Sequence, residues 1–353
     1  MVPALAEYSP IGLCFDGRSV RAAQTRRTRR GDCLAAAALL PRICPESPIH
    51  PEEALAIRSA LARMGFRGRK IVLAVPEDKL LVSMLELPLR GSGAPLEQIA
   101  RAELARIHGY EPDTAEMVCW DLPPTPAVKS ATYMMALAYR HSDAEELLVV
   151  FEQAGFQPEA MESRLAAIAR ASESLRPNGV VTAVLETGWG AGILGFLWQN
   201  KIVYQRLLPE AALQSLATRL TAILGPDVDP LEVLFSRCMG QGRDGNELAE
   251  LTAAIQDEVS TYLQKVCADL AAPVSYIRQQ YPSVLLNGLL LTGAAARIPG
   301  AAERCRENLN CPVTSVAPIN LLNATPATMA VAEDSSLVVP LGLAQYRPEG
   351  VAE

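Results

Sequence analysis

Three times along 353 residues an apolar strand runs into a glycine turn: Ile11–Arg21 (IGLCFDGRSVR), Val180–Arg206 (VVTAVLETGWGAGILGFLWQNKIVYQR) and Leu289–Gly300 (LLLTGAAARIPG). Backbone N–H groups converge on a phosphate only where side chains are absent, and glycine removes them. Three such turns spread over one chain describe a nucleotide cleft held between two lobes. The length suits this, since a chain of this size carries two cores rather than one.

The opening reads as an antiparallel meander. Strands Ile11–Phe15 and Val20–Thr25 flank Asp16–Gly17, a two-residue hairpin turn whose central positions require φ > 0, and a basic tip, Arg26–Arg30, precedes strand Cys33–Leu40. A helix from Pro51 to just before Gly65 places Ala54, Ile57, Leu61 and Met64 on one face, and Ile71–Val75 is an apolar run suited to a covered sheet. Strand Leu80–Leu87, helix Pro95–Ile107, strand Glu116–Asp121 and strand Ala131–Tyr139 form a compact insert, with a Pro-rich turn at Leu122–Pro126. Ser142–Glu145 reads as a capping box for a helix ending at Gly155, Glu159–Ala171 as a further helix, and Arg176–Gly179 as a linker.

The order then recurs. Strands Val181–Glu186, Ala191–Trp198 and Ile202–Leu207 are followed by helix Glu210–Leu224, a helix capped by Asp229, a long helix Glu247–Leu270 and strand Leu285–Leu291. The repeated β-β-β-α-β pattern predicts two related α/β lobes. Residues 1–78 and 141–178 form the first lobe, 79–140 the insert, 179–346 the second lobe with helices around 226–275, and 347–353 a tail.

Composition narrows the function. Half the chain is apolar and a fifth charged, which is ordinary for a protein with large cores, and a net charge of −7 argues against a general nucleic-acid binder. The eight cysteines form no C-x-x-C pair and the three histidines stand apart, so no zinc site is expected, and the thiols suit a reducing compartment. With no leader-like start and no run long enough to span a bilayer, the expectation is a soluble cytoplasmic protein.

Several stretches carry a family likeness: Leu80–Ile107 (LLVSMLELPLRGSGAPLEQIARAELARI), Glu146–Arg170 (ELLVVFEQAGFQPEAMESRLAAIAR), Ile255–Gln264 (IQDEVSTYLQ), Leu291–Ala301 (LTGAAARIPGA) and Pro340–Arg347 (PLGLAQYR). On these the chain resembles the PilM family of type IV pilus assembly proteins, in the actin-like ATPase superfamily and similar in build to the division protein FtsA. The resemblance implies an α/β, actin-like (ribonuclease H-like) two-lobed fold with a strand–helix–strand–strand insert in the first lobe. It further implies a cytoplasmic adapter, peripheral at the inner membrane, that grips the cytoplasmic tail of a single-span PilN-type partner. The apparatus would be a pilus or a type II secretion-like platform; self-association stays open and no nucleic acid is implied.

Against that family the nucleotide turns depart. The aspartate position of the first turn is Cys14 and its glycine position Asp16; a thiol does not replace a hard oxygen ligand for Mg²⁺. Glu186 stands for the second turn's aspartate, followed by Thr187-Gly188-Trp189-Gly190, and the glycine-rich adenosine contact is reduced to Gly293-Ala294-Ala295-Ala296. Leu208-Pro209-Glu210 replaces a further glycine pair. The candidate binding residues are Asp16, Gly17, Arg18, Ser19 and Arg21 in the first turn, Glu186, Thr187, Gly188 and Gly190 in the second, and Gly293 in the third. The resemblance implies ATP with Mg²⁺, and these departures leave it held weakly or no longer, without efficient hydrolysis and without catalytic or metal residues. The alternatives are an active actin-like ATPase or phosphotransferase, and an FtsA-like division filament. The Arg26–Arg30 tip reads first as a solvated hairpin end, with attraction to anionic lipid headgroups as its alternative.

Overall fold

The computed structural model describes residues 7–29, 31–124, 131–238 and 246–348, with backbone alone at 236–238 and 246–250. In chain order the first half holds β1 (Ile11–Phe15), β2 (Ser19–Thr28), β3 (Gly31–Pro41), α1 (Pro51–Arg63) and β4 (Lys70–Ala74), then the insert β5 (Leu81–Leu87), α2 (Leu96–His108), β6 (Ala115–Asp121) and β7 (Thr132–Arg140). It continues with α3 (His141–Gln153), β8 (Gln157–Glu162) and α4 (Arg164–Ala171). The second half holds β9 (Val181–Thr187), β10 (Gly192–Trp198), β11 (Lys201–Leu208), α5 (Leu213–Leu224), α6 (Pro230–Cys238) and α7 (Asn246–Gln280). It ends with β12 (Leu286–Gly293), α8 (Ala301–Leu309), β13 (Val313–Ser315), β14 (Asn323–Ala324) and α9 (Val338–Ala344).

The two main sheets share one topology. The first runs β14-β3-β2-β1-β4-β8 and the second β11-β10-β9-β12-β13: in each, an antiparallel meander joins two further strands in parallel. The insert is a separate three-stranded sheet, β5-β7-β6, covered on one face by α2 through Leu96, Ala100 and Leu104. Strand alternation divides the apolar side chains of β1: Ile11 and Leu13 pack toward α1 and α3, while Cys14 faces the helices between the lobes. Those helices are α4 and α9. Leu165, Ile168, Leu341 and Leu343 share one core with Ala23 and Val72 of the first sheet and Val184 and Ile193 of the second. Their approach is close enough that a Cβ on Gly342 would lie 1.9 Å from the carbonyl oxygen of Ala167.

Several sequence expectations change. Neither Asp16 nor Gly17 has positive φ. The turn is instead closed by the Asp16 carboxylate, whose Oδ1 accepts from the N–H groups of Arg18 at 2.9 Å and Ser19 at 2.8 Å. Glu159–Glu162, expected as helix, is the outer strand β8, paired in parallel with β4, and the helix starts only after Ser163, whose Oγ accepts from Ala166 N–H. The capping box at Ser142 does not form: β7 runs straight into α3, so Arg140, still paired with Ala115, sets the helix entry. α7 passes through Pro273 to Gln280, because Val274 and Ile277 continue its buried stripe. Met64 and Ile107, expected on buried faces, are exposed. The expected turn Leu122–Pro126 and basic tip Arg26–Arg30 both run into positions outside the described residues.

The boundary at 346 also shifts. β14 pairs in parallel with β3, and α9 packs against β1 and α4, so the chain after β13 returns to the first sheet rather than staying in the second lobe. Among the described residues no helix is long and apolar enough to cross a membrane.

Candidate functional site: the cleft between the lobes

The β1–β2 turn, the β9–β10 turn and the end of β12 meet between the lobes, as the sequence pattern expects. Asp16, Arg18, Ser19, Arg21 and Thr187 line one cavity there, together with Trp189, Arg297 and Asp334. Its volume is about 160 Å³, below the roughly 300–1,000 Å³ of ligand pockets. A larger space of about 620 Å³ lies elsewhere, bounded by Ile255, Val259 and Leu263 of α7 and by Ile298 and Arg304, and holds none of the expected site residues.

The floor of the cleft is filled by two arginines. Arg21, on β2, donates from Nη2 to Asp16 Oδ2 at 2.7 Å and lies 4.0 Å from Glu186 Oε1. Arg164, at the first turn of α4, donates to the same Glu186 oxygen. Both guanidiniums and the Glu186 carboxylate are buried. Glu77, just after β4, accepts from the Arg164 backbone N–H at 3.2 Å and from Gln205 Nε2 at 3.4 Å. Arg21 Nε, Arg164 Nε and Glu186 Oε2 have no hydrogen-bond partner among the described residues.

Electrostatics follow from this packing. Burial opposes ionisation of Asp16, yet Arg21 and the N–H groups of Arg18 and Ser19 outweigh it and hold the carboxyl below its ordinary range. Burial also opposes charge on Arg164, but Glu186, Glu77 and Cys14 together outweigh it and hold the guanidinium above its ordinary range. For Glu77 burial wins over the attraction of Arg164, and its pKa is pushed up to about 7. Burial raises the Cys14 thiol, so it stays protonated.

The remaining turn residues are occupied structurally. Thr187 Oγ1 donates to Thr292 O at 3.1 Å and accepts from Ala295 N–H at 3.0 Å, fastening the second turn to the third. Gly293 has φ +84°, and a Cβ there would lie 2.2 Å from Thr187 O; the glycine serves this strand-to-strand approach. A Cβ on Gly188 would meet Ala191 O at 2.5 Å, one on Gly17 would meet the Glu46 carboxylate at 2.6 Å, and Gly190 stands in open space. At the rim Trp189 Nε1 donates to Glu46, the Arg18 guanidinium lies 5.2 Å from the Trp189 ring centroid, and Arg18 also pairs with Asp229 across the cleft.

Sequence reasoning missed Arg164, Glu77 and Glu46. Arg164 left no trace: the expected helix from Glu159 put it in the second turn. Only the strand β8 before it moves it to the first turn of α4, where a cation opposes the dipole and calls for a carboxylate partner.

Two sheets that share one five-strand order, the first extended by β14, with helices packed between them and an insert in the first half, define a two-lobed fold of the actin-like class. Among solved structures, a chain of the PilM–PilN type IV pilus biogenesis complex is similar at a TM-score of 0.75, with 19% identity over 96% of this chain and 98% of that one. The ethanolamine utilization protein EutJ from Carboxydothermus hydrogenoformans is similar at 0.53, with 14% identity over 97% and 91% of the two chains. No protein-family model and no curated protein sequence matches. The fold is therefore the PilM-like form of the actin-like architecture.

Proposed function

We propose that the chain is a non-enzymatic adapter of a type IV pilus or type II secretion-like assembly platform, peripheral to the inner membrane on its cytoplasmic side. One observation carries this reading: the carboxylates where nucleotide and Mg²⁺ would be handled are already compensated by Arg21 and Arg164. Mg²⁺ requires hard oxygen ligands with open coordination positions. Here Asp16 and Glu186 each face a guanidinium, and Cys14 offers a buried protonated thiol. These residues do not fit Mg²⁺–ATP, and the cleft serves as a closed joint between the lobes.

With chemistry removed from the cleft, function lies in binding. The likeness to a chain of a PilM–PilN complex supports a PilN-type partner, whose disordered cytoplasmic tail would order in a groove between the first lobe and its insert. Asp16, Gly17, Arg18, Ser19, Arg21, Glu186, Thr187, Gly188, Gly190 and Gly293 then act as the joint rather than as ligand contacts.

The test is a thermal unfolding titration with ATP and Mg²⁺ beside calorimetry with a PilN-type tail peptide. We expect no shift with nucleotide and saturable peptide binding. A large stabilisation at micromolar ATP accompanied by turnover would replace the adapter with an ATPase. Absence of peptide binding would remove the proposed partner.

A further inference from the structure

The cleft lies at one end of the first sheet, and the opposite end gathers basic side chains from separate segments. The β2–β3 hairpin carries Arg26, Arg27 and Arg29, and the loop entering β4 carries Arg67, Arg69 and Lys70. Buried Gln24 binds these segments to each other. Its Nε2 donates to Ser9 O at 2.8 Å and Arg67 O at 2.7 Å, and its Oε1 accepts from Arg67 N–H at 2.8 Å. Gln157 N–H donates to Arg69 O at 2.8 Å, extending the same end to β8. The cationic face therefore rests on a fixed backbone.

These six cations gather at one end of a chain whose net charge is −7. Lys70 pairs with Glu159, whereas Arg67 and Arg69 are exposed and make no ion pair among the described residues. Tyr8, bridged to Arg26, stands exposed at the same end and places an aromatic ring beside the hairpin's arginines. Arginine pairs with phosphate oxygens bidentately, and amphipathic rings sit well at a headgroup layer.

We propose that this end of the first lobe docks directly on the anionic phospholipid headgroups of a membrane. A lipid surface fits better than a nucleic acid because the chain as a whole is acidic and exposed Tyr8, bridged to Arg26, adds an amphipathic ring of the kind that seats at a headgroup layer. The contact is independent of tail capture and would hold the adapter against the bilayer while its groove is empty.

The experiment is co-sedimentation of the full chain with phosphatidylglycerol-containing vesicles and with pure phosphatidylcholine vesicles, at low and high salt. We expect binding to the first kind alone, lost at high salt. The double variant Arg67→Ala/Arg69→Ala should weaken partitioning about thirtyfold, and Arg29→Ala about fivefold. Arg67→Lys/Arg69→Lys should keep most of it, and Arg106→Ala, on the insert, should leave it unchanged. Thermal unfolding confirms that each variant is folded. Failure to bind phosphatidylglycerol vesicles, or binding indifferent to the alanine pair, overturns the proposal. So does tighter binding of duplex DNA through the same arginines. None of these outcomes bears on peptide capture, so the two readings fail separately.

Discussion

Arg164, at the start of α4, donates to Glu186, at the end of β9, so a buried ion pair joins the two lobes where a nucleotide would otherwise bridge them. Such a pair adds little net stability, because desolvation consumes most of the attraction, but removing one partner strands the other. Glu186→Gln leaves Arg164 without its anion and Arg21 with Asp16 alone. Urea denaturation should show a loss of about 3 kcal/mol. The double variant Arg164→Met/Glu186→Leu should recover most of it. A single-variant loss below about 1 kcal/mol would mean that water already solvates these charges.

The rim pair between Arg18 and Asp229 crosses the same cleft but is more than a third exposed on both sides. Asp229 also accepts from the N–H groups of Leu231 at 3.0 Å and Glu232 at 3.3 Å, capping α6. Asn retains that cap while removing the charge. Asp229→Asn should therefore cost no more than about 0.5 kcal/mol in the same denaturation assay, whereas Asp229→Ala, which loses the cap as well, should cost about 1 kcal/mol more. Equal losses for the two would place the energy in the ion pair.

The strands and the duplication were legible because both depend on local pattern: continuous apolar runs ending in glycine turns mark β1, β9 and β12 wherever they pack. What escaped was set by distant partners. Glu159–Glu162 has a composition that suits helix, and it is strand only because β4 offers it an open edge. The long-range return of β14 and α9 to the first sheet left no mark in a pattern read window by window. In the site, Asp16, Arg21 and Glu186 were visible from their turns, and Cys14 and Glu186 already pointed to altered metal chemistry. The two-arginine floor was not visible, since Arg164 reaches Glu186 only through packing of α4 between the lobes. The glycines were read as phosphate-facing, yet Gly293 is explained by the backbone of Thr187 beside it.

Glu77 gives the cleft a pH signature. Its folded pKa is about 7 against a model-compound value of 4.5. The folded state thus holds a proton that the unfolded state has released between those values. Stability from this group is present below pH ~4.5 and falls as pH rises toward ~7, by up to about 3 kcal/mol. Asp16, held below its ordinary range, acts in the opposite sense and only in more acidic solution. Denaturation midpoints across pH 5 to 8 should decline for the parent chain and flatten in Glu77→Gln, whose amide stays neutral throughout. An undiminished slope in the variant would assign the dependence to another group.

Two glycines separate backbone conformation from space. Gly65 has φ +91° with nothing within 4 Å of a Cβ; alanine there meets only the left-handed penalty, about 1 kcal/mol. Gly342 lies within α9, where helical φ suits any residue, but its Cβ would sit 1.9 Å from Ala167 O and 2.4 Å from Ala167 C. Those atoms are backbone, so no rotamer relieves the contact and α9 must move away from α4. The shift also strains the 2.7 Å hydrogen bond from Arg170 Nη1 to Gly342 O and opens the core that both lobes share. Gly342→Ala should cost about 3 kcal/mol or more, against about 1 for Gly65→Ala. Because α4 carries Arg164, the larger shift should also loosen the pair with Glu186. Combining Gly342→Ala with Glu186→Gln should therefore cost clearly less than the two separate losses together. Strict additivity would show that helix spacing and the cleft's ion pair are independent.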